Sequence, residues 1–104
     1  MAIVSPPPVI FMAIVSFRCV ATRGLFVGRR IRHYQAVQRV AMRKLVMLDA
    51  ATRLEDLKVP PANRLERLHG DRAGQCSIRI NDQYRICFIW TDLGPADVEI
   101  CDYH

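Results

Sequence analysis

The last three residues of the chain, Asp102, Tyr103 and His104, are a carboxylate, a phenol and an imidazole in a row. All three can position or transfer protons, and imidazole suits either half of a proton transfer because its ordinary pKa lies near neutrality. A second histidine, His69, begins a short "HGDR" turn that also carries Arg72. We predict that these residues form one site, in which imidazoles move protons and a guanidinium holds an anionic group.

Two further arginines fall on predicted strands. Apolar and other residues alternate with a period of two in "CSIRIN", "YRICFIW" and "DVEIC", which places Ile86 and Phe88 on a first face that packs on the helices. The second face then carries Arg79, Arg85, Cys87, Glu99, Cys101 and Tyr103. We predict that this second face is open and that its arginines lie near the "HGDR" turn and the terminal residues.

Metal-free cleavage of RNA is the chemistry that suits such a set. A general base removes the proton of a ribose 2′-hydroxyl, arginines neutralise the charge that grows on the phosphate, and a general acid protonates the departing 5′-oxygen. The residues alone leave an ordinary alternative open. In that alternative the histidines are surface residues, the strand arginines pair with acids such as Glu99, and Asp102 only solvates the end of the chain.

The positive charge of the chain is unevenly placed. The net charge is +5, and residues 18–48 contain eight basic residues and no acid. This distribution favours RNA, DNA or an acidic protein as a partner over a merely solvated surface. We predict that the exposed face of a helix in this region presents Arg39, Arg43 and Lys44 to such a partner.

Four cysteines, Cys19, Cys76, Cys87 and Cys101, show no spacing typical of a zinc site. We therefore expect reduced, mostly buried thiols, no metal and no cofactor, in a cytoplasmic protein. The apolar start of the chain contains three consecutive prolines and is too short to span a membrane. We expect no membrane association.

The order of patterns predicts an α+β fold, with N-terminal helices packed on a small curved antiparallel sheet. A short strand is expected over residues 14–18, a helical turn over 22–30 and a helix over 33–52. Thr52 and Glu55 have the spacing of a capping box for one more short helix. Four strands are expected after these helices, in "NRLERLHG", "CSIRIN", "YRICFIW" and "DVEIC". Turns are expected at "ND" and "TDLGPA".

The length of 104 residues suits one domain. The stretch "MAIVS" occurs at residues 1–5 and again at 12–16. We therefore expect that Met12 is the natural start, that residues 1–11 are an upstream extension and that residues 12–104 form a single domain.

Three runs, "LDAATRLEDL", "PPANRLERLHGDRAGQCSIRINDQYRICFIW" and "VEICDYH", closely resemble the HigB family of toxins, within the RelE/ParE superfamily. The resemblance is continuous from about residue 40 to residue 104 and extends more faintly back to Met12. The "GDR-x-G-x-x-SIR" run, the "RI-x-F" strand and the terminal "DYH" occur together and in order, which makes it specific. It implies a RelE-like fold of the microbial-ribonuclease type.

The resemblance also implies a function. Proteins of this family are toxins of toxin–antitoxin pairs that enter the ribosome and cut translated mRNA until a helix-turn-helix antitoxin of the HigA type neutralises them in a hetero-oligomer. The family's catalytic positions correspond to Asp102, Tyr103, His104 and His69, and Arg85 corresponds to an arginine that stabilises the transition state. We expect His104 and Asp102 to handle protons, His69 and Tyr103 to assist, and Arg72 and Arg85 to hold the phosphate. Arg79 joins the helix residues as an expected RNA contact.

One departure from the family affects these expectations. Relatives usually carry lysine at the position of His69, and histidine is mostly neutral at pH 7, so activity that is weaker or more dependent on pH is expected. Two alternatives stay open, of which the second is motivated by His69. One is a ParE-like inhibitor of DNA gyrase that cuts nothing, and the other is an inactive toxin homologue that binds antitoxin and represses its operon.

Overall fold

A computed structural model describes residues 13–102. The predicted start at Met12, the predicted extension over residues 1–11, and Tyr103 and His104 lie outside the described residues. The elements run in the order α1 (Val20–Phe26), α2 (Gln38–Ala50), β1 (Glu66–Arg67), β2 (Cys76–Arg79), β3 (Tyr84–Thr91) and β4 (Gly94–Asp102), with short 3-10 turns between them. The four strands form one antiparallel sheet in the order β1-β2-β3-β4. The predicted α+β class is confirmed.

The core lies between the helices and the first face of the sheet. Ala41, Leu45 and Leu48 recur at helical spacing along α2 and are fully buried. They face the sheet residues that alternation assigned to the first face, of which Ile78, Ile86, Phe88 and Val98 are fully buried. The predicted helix over residues 33–52 is divided in the structure, because a 3-10 turn over Arg32–Val37 precedes α2.

The prediction that Lys44 lies on the exposed face of the helix is wrong. Lys44 follows Ala41 by three residues and precedes Leu48 by four, so helical geometry places it on the buried stripe. Only 6% of its surface is exposed, and its ammonium donates a hydrogen bond to Oδ1 of the fully buried Asn63. Burial lowers the pKa of Lys44, and the positive charges of Arg43 and Arg79 lower it further. Lys44 therefore joins α2 to the segment that leads into β1.

The segments that flank the core depart from the predictions in detail. Residues 14–18 run beside β4 and make three backbone hydrogen bonds with it, but only Phe17 forms a bridge, opposite Val98. The strand expected along "NRLERLHG" is reduced to Glu66–Arg67, because Arg64 adopts a left-handed conformation before it and a 3-10 turn over Gly70–Arg72 follows it.

The turn after α2 is capped by a different acid from the predicted one. Oδ2 of Asp56, and not the Glu55 carboxylate, accepts hydrogen bonds from the backbone N–H groups of Thr52 and Arg53, at 3.0 and 3.1 Å. It also accepts one from the Thr52 hydroxyl at 3.1 Å. The hydrogen bonds from Thr52 and Arg53 lower the pKa of Asp56.

This cap makes stability depend on pH. Because the pKa of Asp56 is lower in the folded chain than in the unfolded chain, its contribution is present above the unfolded pKa and is lost as the pH falls through the folded pKa. We expect Asp56→Ala to lower the free energy of unfolding at pH 7 and the difference from the parent to disappear in acid. Urea titrations from pH 7 to pH 2 measure this, with Glu55→Ala as the control. An equal difference at every pH would contradict the assignment of the cap.

Candidate functional site

The second face of the sheet is covered, so the prediction that it is open is wrong. Leu68 packs against Cys87 and Cys101, and 6% or less of each of these residues is exposed. The loop between β1 and β2 holds Leu68 in place through its backbone N–H, which donates to the Gln75 carbonyl at 2.8 Å. The sequence pattern located this face correctly, but it contained no sign of the loop that closes over it.

Arg85 lies within this covered face, and only 8% of its surface is exposed. Its Nε donates a hydrogen bond to Oγ of Ser77 at 2.7 Å, and its Nη2 donates to the carbonyl of Arg64 at 2.6 Å. The left-handed conformation of Arg64 turns that carbonyl toward β3. The side chain is thus a positive charge fixed by internal acceptors.

Arg72 is the more accessible arginine of the face. Its Nη1 donates to Oε1 of Glu99 at 2.8 Å and to Oε1 of Gln75 at 3.0 Å, while about a third of the side chain, 35%, stays exposed. Arg18 approaches the same Glu99 oxygen at 3.9 Å. The hydrogen bond with Glu99 raises the pKa of Arg72, so its guanidinium remains charged at every physiological pH. Period-two alternation placed Glu99 on this face. The arginine that Glu99 orients, Arg72, lies in the loop between β1 and β2, and the pattern gave no position for that loop.

The two buried thiols of the second face contact each other. Cys87 and Cys101 hydrogen-bond, and this bond together with burial raises the pKa of Cys101. The Cys87 thiol also lies within electrostatic range of both Arg72 and Arg85, which brings the two predicted phosphate residues to one region. A protonated, buried Cys101 is a packing group rather than a nucleophile.

His69 lies beside this region. It immediately precedes the 3-10 turn over Gly70–Arg72, its carbonyl accepts a hydrogen bond from the Arg72 backbone at 3.3 Å, and its surface is exposed. Arg72 and Arg85 thus both lie near the Cys87 thiol. His69 follows the end of β1 that pairs with Cys76, whereas Arg85 pairs with Arg79 at the other end of β2. The predicted catalytic roles of His69, Arg72 and Arg85 stay predictions.

Asp102 ends β4 directly opposite Tyr84 of β3. Residues that are directly opposite in an antiparallel pair point to the same face, so the Asp102 side chain belongs to the first face, while Arg85 belongs to the second. Its Oδ2 accepts a hydrogen bond from Nε2 of Gln83 at 3.1 Å. Asp102 and Arg85 therefore lie at the same end of the β3–β4 pair but on opposite faces of the sheet.

The remaining predicted RNA contacts differ in accessibility. Arg79 forms an ion pair with Asp82 in the turn after β2. Arg39 and Arg43 are exposed on α2, in agreement with the predicted basic face. Arg39 also lines a shallow depression together with Arg30, Gln35, Gln38 and Met42. This depression, which we call the α2 groove, offers cations and amides without an acid.

The part of the chain that the structure describes offers no candidate metal site. Among residues 13–102, no group of three or more histidine, cysteine, aspartate or glutamate residues is arranged to hold a metal ion. All four cysteines are free. Over the same residues, no helix is long and apolar enough to cross a membrane.

Over residues 13–102, the two helices and the four-stranded antiparallel sheet are compatible with a RelE-like α+β fold. Residues 28–104 match the family described as the RelE-like toxin of type II toxin–antitoxin system HigB. Since the match covers well over half of the chain, the protein belongs to this family.

The chain is similar to two further proteins, one of which is a named HigB toxin. The chain is 49% identical over 57 residues to Toxin HigB-1 of Vibrio cholerae serotype O1, a match that covers 55% of the chain and 60% of the relative. It is 44% identical over 50 residues to an uncharacterized protein of Haemophilus influenzae, covering 48% and 50% respectively. The chain therefore spans between half and two thirds of the length of these relatives.

Proposed function

We propose that this HigB-like toxin inhibits growth as a ribosome-dependent endoribonuclease that cuts translated mRNA without a metal. The observation that carries the proposal is the arrangement around Arg72. A permanently charged guanidinium, oriented by Glu99 and Gln75 and still partly exposed, lies in the turn that His69 begins. Such a pre-oriented cation suits a phosphate whose charge increases during reaction.

The proposed reaction divides the work among the residues predicted for the site. His104, with Asp102, handles the protons of the attacking 2′-hydroxyl and the departing 5′-oxygen, and Tyr103 and His69 assist. Arg72 contacts a non-bridging phosphate oxygen. Arg85 contributes positive potential from within the sheet, where Ser77 and the Arg64 carbonyl hold its guanidinium.

The α2 groove supplies a route for the rest of the polyanion. Arg39 and Arg43 neutralise phosphates of mRNA or ribosomal RNA, and Arg79 adds a contact when its exposed pair with Asp82 opens. We further propose that the protein acts in the cytoplasm and that a helix-turn-helix antitoxin of the HigA type neutralises it in a hetero-oligomer.

A reconstituted translation reaction tests this function. The full chain is added to ribosomes that translate a defined mRNA, and the fragments are mapped and their ends analysed. Attack by the 2′-hydroxyl leaves 2′,3′-cyclic phosphates on the upstream fragments, and cuts should require translation. Fragments that carry 3′-hydroxyl and 5′-phosphate ends, or intact mRNA, would contradict the proposed reaction.

The internal bonding of Arg85 favours a second candidate. Because Ser77 and the Arg64 carbonyl already hold this guanidinium, a chain that has lost catalysis and only binds antitoxin and represses its operon would keep the same structure. Antitoxin binding without growth arrest would support this candidate. Inhibition of gyrase supercoiling without mRNA cleavage would instead support the ParE-like activity.

A further inference from the structure

His33 is an exposed imidazole supported by two buried aromatic rings. It lies in the 3-10 turn over Arg32–Val37. Its ring centroid is 4.9 Å from that of Tyr34 and 6.5 Å from that of Tyr84, with interplanar angles of 74° and 75°. Tyr34 and Tyr84 are 5.6 Å apart and nearly perpendicular, and 9% of each is exposed. We call these three residues the aromatic cluster.

The aromatic cluster differs from an ordinary core contact because one of its three rings, that of His33, is exposed. The two tyrosines belong to the core, and burial raises the pKa of Tyr34, so its ring remains a neutral support. T-shaped contacts with both rings restrict the orientations of the His33 imidazole. A planar, exposed ring whose orientation is already restricted loses little entropy when a second planar group stacks on it.

The position of the cluster connects it with the proposed site. Tyr84 is the residue directly opposite Asp102 in the β3–β4 pair, and both side chains point to the first face. Residues that are opposite in this way have Cβ atoms about 4.5 to 5.5 Å apart. His33 therefore lies at the same end of the sheet as Asp102, one of the residues proposed to handle protons.

The surroundings of His33 favour a polyanion over a protein partner. Arg29, Arg30 and Arg32 precede it in the chain and are exposed, and the first acid after it is Asp49. Arg30 also lines the α2 groove. Stacking rings next to phosphate-binding cations are the combination with which proteins bind single-stranded nucleic acid.

We propose that His33, supported by Tyr34 and Tyr84, stacks on one nucleobase of the RNA strand, next to the bond to be cut. The inference rests on the proposed function for its ligand and adds a base-binding position that neither the family assignment nor the terminal residues provide. Arg30 and Arg32 bind the phosphates on either side of the stacked base. The position tolerates different bases, because every base offers a flat face.

Binding of a short single-stranded RNA that contains 2-aminopurine tests this proposal. Stacking quenches 2-aminopurine fluorescence, and the full chain is compared with His33→Ala and His33→Phe. Leu93→Ala is the control, because Leu93 is exposed in the turn at the other end of the β3–β4 hairpin. We expect His33→Ala to weaken binding about tenfold or more and to reduce quenching, with His33→Phe within about threefold of the parent and Leu93→Ala unchanged.

Cleavage kinetics separate this inference from the proposed function. In the translation reaction, His33→Ala should raise KM more than it lowers kcat, because stacking holds the strand before and during reaction. Equal RNA binding by the parent and His33→Ala, absence of quenching, or equal losses in the alanine and phenylalanine variants would overturn the inference. RNA bound through His33 but never cut would contradict the proposed function alone.

Discussion

Replacing Arg72 by alanine is expected to lower the rate of mRNA cleavage by about 100- to 1,000-fold, the usual effect of removing a group that stabilises developing charge. Glu99 and Gln75 orient the guanidinium, and the hydrogen bond with Glu99 raises its pKa. The alanine variant has no cation at this place. Single-turnover cleavage in the translation reaction measures the effect.

The control for Arg72→Ala is Arg79→Ala, which removes an arginine from an exposed ion pair and should change cleavage by only a few fold. Loss of folding is a separate concern, since Arg72→Ala removes the hydrogen-bonded partner of the largely buried Glu99 and, among the described residues, leaves Arg18 at 3.9 Å. The double variant Arg72→Ala/Glu99→Ala removes that weakly paired carboxylate and should recover stability without recovering cleavage. Full cleavage by Arg72→Ala would remove Arg72 from the mechanism.

Replacing Asn63 by alanine is expected to lower the free energy of unfolding by about 2 to 4 kcal/mol, because it leaves a buried ammonium without its acceptor. The fully buried Asn63 side chain accepts a hydrogen bond from Lys44 and donates one to the Leu57 carbonyl at 3.1 Å. It thereby joins α2 to the segment before β1. Urea titration at pH 7 measures the loss.

A double-mutant cycle isolates the part due to the buried charge. If the unpaired ammonium is the main cost, Lys44→Met in the Asn63→Ala background should restore part of the stability. The exposed Gln35→Ala serves as a control with an expected change below about 0.5 kcal/mol. Additive effects of the two substitutions would show that Lys44 and Asn63 are not coupled.

Period-two alternation was sufficient to assign the first face of the sheet. The apolar residues that it placed there, Ile78, Ile86, Phe88 and Val98, are all fully buried in the structure. Helical spacing likewise located the core stripe of α2. Helical spacing alone would also have placed Lys44 in the core stripe of α2, but its positive charge suggested that the side chain is exposed. Its acceptor, Asn63, is far away in sequence and no local pattern connects the two residues.

The candidate site was harder to predict from the sequence than the core. The pattern placed Arg85, Cys87 and Glu99 together, but the loop that carries Leu68 and Arg72 has no periodicity, and that loop determines which arginine is exposed. His33 was not predicted as a site residue. The only local signal was its place between Arg32 and Tyr34, and its contact with Tyr84 depends on the tertiary fold.

The most direct test of the central claim is to map mRNA 5′ ends in cells after induced expression of the full chain and of the same chain without His104. We predict growth arrest with new cuts inside translated codons for the full chain. Both should be absent when the single terminal residue is removed, although the shortened chain still folds and accumulates. Growth arrest without new cuts, or cuts that persist without His104, would contradict the claim that the terminal residues cleave RNA.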